Sequence, residues 1–222
     1  MSEGSCRVWD LPTRSFHWLL VLHFMLAYLT GDNDRLALYH ITAGYVVAAL
    51  IAFRLLWGIT GTHHARFRSF LPRPAALLAY VRGFCHCRPT HFVGHNPLGA
   101  VGILLLLVSA IITTATGWAE VLELDLPYLE EIHELIANTM IILVGLHVTG
   151  VISSSCMHRE NLVAAMIHGC KSTGDDHAAP VRNHGLVAGL LGMMVAAIWL
   201  VSFSDRIMPF ITRFTTLMLQ SQ

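Results

Sequence analysis

Long apolar stretches alternate with short polar ones along this chain. Crossing a hydrocarbon core takes roughly 17–25 residues of helix. Runs of about that length occupy residues 15–30, 36–57, 97–118, 132–154 and 185–203. The first run is short and contains His17 and His23, whereas the third has no ionisable side chain. Gly31, Asp32, Asn33 and Asp34 predict a tight turn between the first two spans. Residues 59–96, with Pro72, Pro74 and Pro89, form a long connection on the opposite side. Beyond Asp205, the spacing of Ile207, Phe210, Ile211, Phe214 and Leu217 predicts a short amphipathic helix lying on the membrane interface. The pattern predicts an all-α integral membrane protein with five spans.

Composition points the same way. Of 222 residues, 55% are hydrophobic and 13% charged, half the roughly 25% charged share of soluble domains. The apolar content excludes disorder. Fourteen Lys and Arg balance fourteen Asp and Glu, so the basic stripe that nucleic acid requires is missing. Glu3 and Asp10 before the first run, two histidines inside it and no A-x-A site after it are unlike a cleavable signal peptide, and the segment is expected to stay in the mature chain. The five cysteines have no zinc or thioredoxin spacing, and no C-x-x-C-H is present. Any haem is therefore held without thioether bonds.

Charge sets the orientation, because Lys and Arg near span ends stay in the cytoplasm. Residues 59–96 hold Arg66, Arg68, Arg73, Arg82 and Arg88 and no acid. Residues 119–131 hold Glu120, Glu123, Asp125, Glu130 and Glu131 and no base. The N-terminus, the arginine-bearing connection and residues 157–183 are thus expected inside. The acidic loop and the C-terminal tail are expected outside, although Arg206 and Arg213 in the tail run against that assignment.

Fourteen histidines are many for such a chain, since an imidazole in a bilayer needs a partner. Four lie at matched depths: His17 and His147 near the inner side, His40 and His133 near the outer. His133 and His147 are fourteen residues apart, which on a helix returns to within about 40° of the same face, about 21 Å further along. A b-type haem takes two imidazoles, one from each of two facing helices. Pairing His17 with His147 and His40 with His133 meets that need, whereas the opposite pairing is about 20 Å too long. Any one of the four could instead bond a backbone carbonyl, but four at matched depth argue for ligation. His23 faces about 120° away from His17 and is read as a polar helix contact or a quinone-site residue. His95 opens the third span and could touch a propionate or a quinone. Gly44, one turn after His40, would let a flat macrocycle approach the backbone. Arg14, one turn before His17, and Arg54, fourteen residues after His40, would pair haem propionates, or would serve simply as inside anchors.

The strings Arg14-Ser15-Phe16-His17-Trp18, Tyr39-His40-Ile41-Thr42-Ala43-Gly44 and Ile132-His133-Glu134-Leu135-Ile136-Ala137-Asn138, with Gly145-Leu146-His147, resemble the bacterial cytochrome b561 family. That family includes the cytochrome b subunits of membrane nickel-iron hydrogenases. Phe53-Arg54-Leu55-Leu56-Trp57-Gly58, His64-Ala65-Arg66-Phe67 and His95-Asn96-Pro97-Leu98-Gly99 look like one branch of it. The likeness covers about residues 8–171. It implies a four-helix transmembrane domain with two b haems, whose ligands fall on His17, His40, His133 and His147. Residues 172–222, a fifth C-terminal transmembrane helix with its tail, depart from the family pattern.

The expected function is a dihaem b-type cytochrome of the bacterial inner membrane, its N-terminus cytoplasmic. It would pass electrons between the quinone pool and a redox partner. Its partners would be membrane lipid, a quinone, and a c-type cytochrome, hydrogenase or other dehydrogenase subunit, with a homodimer also compatible. Electrons would leave a quinol singly near one haem, or run in reverse. The chain is then an electron-transfer subunit, or a quinol/quinone oxidoreductase in its own right. Two other classes compete: a self-sufficient superoxide/quinone oxidoreductase, and a metal-ion transporter, which should carry Asp or Glu inside its spans. Here Glu134 alone lies one turn inside. No GxGxxG or P-loop serves a nucleotide.

Overall fold

Asp10 starts the first helix, its carboxylate accepting from the Thr13 backbone N–H at 2.8 Å with Pro12 in the opening turn. In the computed structural model, which describes residues 5–71, 73–86, 94, 96–172 and 182–204, this helix, α1, spans Leu11–Thr30. A one-turn 3-10 segment, Asp34–Leu36, leads into α2, Ala37–Thr60. The long connection contains α3, Phe67–Phe70, and α4, Pro74–Cys85. Asn96 caps α5, Pro97–Val121, by accepting from Gly99 N at 2.7 Å. Helix α6 runs over Leu129–His158, longer at both ends than the apolar run predicts. Glu130 and Glu131 in its first turn suit the positive end of the helix dipole. Then come α7, Leu162–His168, and α8, Gly185–Ser202. Strand β1, Ser5–Arg7, pairs antiparallel with β2, Cys170–Ser172, which puts the N-terminus and the segment after α7 on one side of the bundle.

Among the described residues, four segments are long and apolar enough to cross a membrane: Asp34–Thr60, Pro97–Val121, Leu129–His158 and Gly185–Ser202. The pattern of apolar runs predicts five. The difference is α1, which has the length, but whose Arg14, His17 and His23 lower its hydropathy. It nevertheless lies in the bundle beside α2 and α8, Phe16 packing with Val46, Leu50, Leu191 and Val195. A second cluster, Phe24, Val47, Ile51, Ala110 and Met140, joins α1 and α2 to α5 and α6. Adjacent positions of α2 thus face opposite neighbours, and this helix is the centre of the core. Apolar side chains also point outward, with Leu29 and Ile59 each 71% exposed and Leu186 78% exposed, as a lipid-facing surface requires. The interfacial helix predicted after Asp205 and the residue His95 lie outside the described residues.

Candidate functional site

Helix α6 carries two of the four histidines, His133 near its start and His147 further along. At one end, the His40 and His133 ring centroids are 6.1 Å apart and inclined at 71°. His40 Nδ1 lies 2.9 Å from the Ala27 carbonyl of α1. A carbonyl only accepts, so Nδ1 carries the proton and Nε2 keeps its lone pair. His133 Nδ1 lies 3.0 Å from Thr116 Oγ1 of α5. That hydroxyl sits 3.0 Å from both the Ile112 and Thr113 carbonyls, where its single proton is used. It therefore accepts from His133 Nδ1–H, and the Nε2 of His133 is also left with a lone pair. Two imidazoles this close, each with an Nε2 lone pair available, would suit two donors to one haem iron.

At the other end, His17 of α1 and His147 of α6 are half-buried and within electrostatic reach of each other. His17 Nδ1 is buried and has no hydrogen-bond partner among the described residues. The structure thus brings together His17 with His147 and His40 with His133, on three helices and at two depths. No heavy atom lies within 4 Å of where a Cβ would stand on Gly44, Gly102, Gly145 or Gly150. Gly44 and Gly150 lie one turn from His40 and His147, so these faces of α2 and α6 have open space beside them. The histidines at both levels fit a b-type haem, which they would hold through their imidazoles.

Other residues singled out in the sequence have definite partners. His23 is buried between α1 and α8: its Nδ1–H donates to Leu19 O at 2.8 Å, and its Nε2 accepts from Trp199 Nε1–H at 3.1 Å. Both ring nitrogens are used, so His23 is the polar helix contact of the two readings. Arg14 donates from Nη1 to the Ile167 carbonyl at the end of α7, while its Nε is buried without a partner among the described residues. Arg54 is buried, donates to Ala65 O at 2.9 Å and lies 4.7 Å from the Phe67 ring. Asp10, fully buried, accepts from Trp57 Nε1 at 3.1 Å and Thr62 Oγ1 at 2.7 Å as well as from Thr13. Asp10 and Arg54 together clamp the connection after α2 onto the end of the bundle.

Sequence reasoning missed Thr116 and Gly117. A Cβ on Gly117 would stand 2.9 Å from His133 Cε1, so the imidazole lies directly on the α5 backbone. The available signal was a Thr-Gly pair near the end of the most apolar span.

The family model for prokaryotic cytochrome b561 matches residues 8–169. The chain belongs to the prokaryotic cytochrome b561 family. This cytochrome is similar to a protein of Azotobacter vinelandii named "Probable Ni/Fe-hydrogenase B-type cytochrome subunit", at 27% identity over 76% of this chain and 89% of that protein. Proteins of the same name from Bradyrhizobium diazoefficiens and Cupriavidus necator are 24% and 23% identical, over 73% and 76% of this chain and 84% and 87% of their own length. No solved structure matches. Family and helices together make this a multi-pass membrane b-type cytochrome of electron transfer.

Proposed function

We propose that this cytochrome binds two b haems in its 8–171 domain, His17 and His147 holding one iron and His40 and His133 the other. Electrons would pass through them between a membrane quinone and a redox partner. The observation that carries this reading is the close approach of His40 and His133, with His147 further along the same helix α6 and within electrostatic reach of His17. Bound haem iron supplies one-electron chemistry at each level. The chain's own residues do the rest. Ala27 and Thr116 fix which nitrogen of His40 and His133 is available. The unpaired Nε of Arg14 is a donor suited to a propionate, whereas Arg54 has part of its guanidinium committed to Ala65.

The partner we favour is a hydrogenase, because the relatives named above are hydrogenase cytochrome subunits. The acidic loop at residues 119–131 would also suit a basic c-type cytochrome. The arginines of residues 59–96 support an inner-membrane protein with a cytoplasmic N-terminus.

A reduced-minus-oxidised spectrum of the purified chain, with a pyridine haemochrome count, tests the cofactor assignment. Two b haems per chain are expected. One would mean that a ligand pair is wrong, and none would reject the assignment. Reduction of the bound haems by a quinol analogue tests the quinone link, and co-purification with a hydrogenase tests the partner.

A further inference from the structure

At the Thr60 end of α2 a cavity of about 410 Å³ opens between that helix and α3, lined by Gly58, Ile59, Arg66, Phe67 and Arg68. Its back wall is tight. A Cβ on Gly58 would collide with the Phe67 ring, so glycine lets that ring lie flat on α2. Phe67 in turn lies against Arg54, whose guanidinium is already bonded to Ala65. The cations that remain for a ligand are Arg66 and Arg68, both exposed. Arg66 uses its Nε on Gly61 O at 2.8 Å, and its Nη atoms make no bond among the described residues. Arg68 makes no hydrogen bond or ion pair among the described residues.

Among the described residues, no carboxylate bonds to either of these two cations. Residues 35–119 contain no Asp or Glu at all. Asp10, the buried carboxylate at this end of the bundle, already accepts from Thr13, Trp57 and Thr62. Among the described residues, the cavity therefore combines two guanidiniums with no anion bound to them. Above it, α2 turns outward Ile59 and Leu56, 71% and 66% exposed. A ligand that satisfies both features has an anionic head and an apolar tail.

We propose that this cavity is a binding site for an anionic phospholipid, with the phosphodiester between Arg66 and Arg68 and an acyl chain along Ile59 and Leu56. Guanidinium forks match phosphate oxygens in geometry as well as charge. Basic pockets at the ends of membrane helices bind anionic headgroups by the same chemistry. The site differs from general attraction of basic loops to a membrane surface, because Arg73 and Arg82 of the same connection do not line the cavity.

Native mass spectrometry of the full haem-loaded chain in detergent tests the proposal, with dioleoyl phosphatidylglycerol, dioleoyl phosphatidylcholine and inorganic phosphate as separate additives. Phosphatidylglycerol should be retained at concentrations where phosphatidylcholine is not. The double variant Arg66→Gln/Arg68→Gln should weaken that retention more than tenfold, since even one lost charge-assisted contact costs about tenfold, and Arg73→Gln/Arg82→Gln should leave it unchanged. Equal retention of the two lipids, or equal loss in both double variants, overturns the site. Displacement of the lipid by millimolar inorganic phosphate overturns the lipid assignment in favour of free phosphate. If the first double variant fails to fold, Arg68→Gln carries the same expectation, since that side chain has no internal bond to lose.

Discussion

Gly117 on α5 and His133 on α6 meet so closely that a methyl group on the first would stand 2.9 Å from Cε1 of the second. With Thr116 Oγ1 accepting from Nδ1 at 3.0 Å, two consecutive α5 residues hold this imidazole from below and from the side. Gly117→Val should push the ring out and, by overpacking, cost about 1–3 kcal/mol of stability. It should also lose one haem while sparing the other. Thr116→Val keeps the shape but leaves Nδ1–H unpaired, which should raise the midpoint potential of one haem by making its ligand less basic. Thr116→Ser should restore it. Unchanged haem content in Gly117→Val would show that His133 needs no such seat.

The spans were legible because a bilayer imposes one length on every helix, and the four histidines because fourteen residues bring His133 and His147 to one face. What sequence cannot display is who accepts from whom. The carbonyl of Ala27 and the hydroxyl of Thr116 are ordinary groups until folding sets them beside His40 and His133. Likewise α1 fell short on hydropathy because its polar side chains face partners, His23 meeting Trp199 and Arg14 meeting Ile167. Arg54 read as a propionate partner by its helical register. In the fold, its neighbours are Ala65, Phe67 and Phe70, all from a connection whose path no periodicity reveals.

The pairing of ligands makes its own prediction. His17→Ala or His147→Ala should each remove one haem and leave the same single-haem spectrum, because the proposed assignment gives both side chains to one iron. His40→Ala or His133→Ala should each leave the complementary spectrum. Four singly substituted proteins would then give two spectra rather than four. Loss of both haems in a variant that keeps its helical content would separate the level-by-level assignment from simple unfolding and count against it.

His23 and Trp199 share one hydrogen bond between α1 and α8, 3.1 Å long and within the core. Neither His23→Leu nor Trp199→Phe should change haem content. Each leaves a polar group unpaired in an apolar setting, a cost of about 1–3 kcal/mol, so both should lower the melting temperature. In the double variant the losses should be clearly less than additive. Strict additivity, measured by thermal unfolding in the same detergent, would mean that the two side chains stabilise the fold independently. A missing haem in His23→Leu would make this residue part of the cofactor site.

Acid should loosen the connection between α2 and α3 before it disturbs the bundle. His64, in that connection, has its pKa lowered below the ordinary 6.5, chiefly by burial and further by the neighbouring charges of His63 and Lys171. The folded protein thus prefers the neutral ring more strongly than the unfolded chain does. Above about 6.5 neither state binds the proton and stability is unaffected. As pH falls below that value the unfolded segment takes up a proton that the folded one resists, and folded stability declines until the lowered folded-state pKa is also passed. Hydrogen exchange across residues 59–70, corrected for intrinsic rates, should therefore show weaker protection at pH 5.5 than at pH 7.5. His64→Leu should flatten that dependence; a slope that survives the substitution would assign the effect to another group.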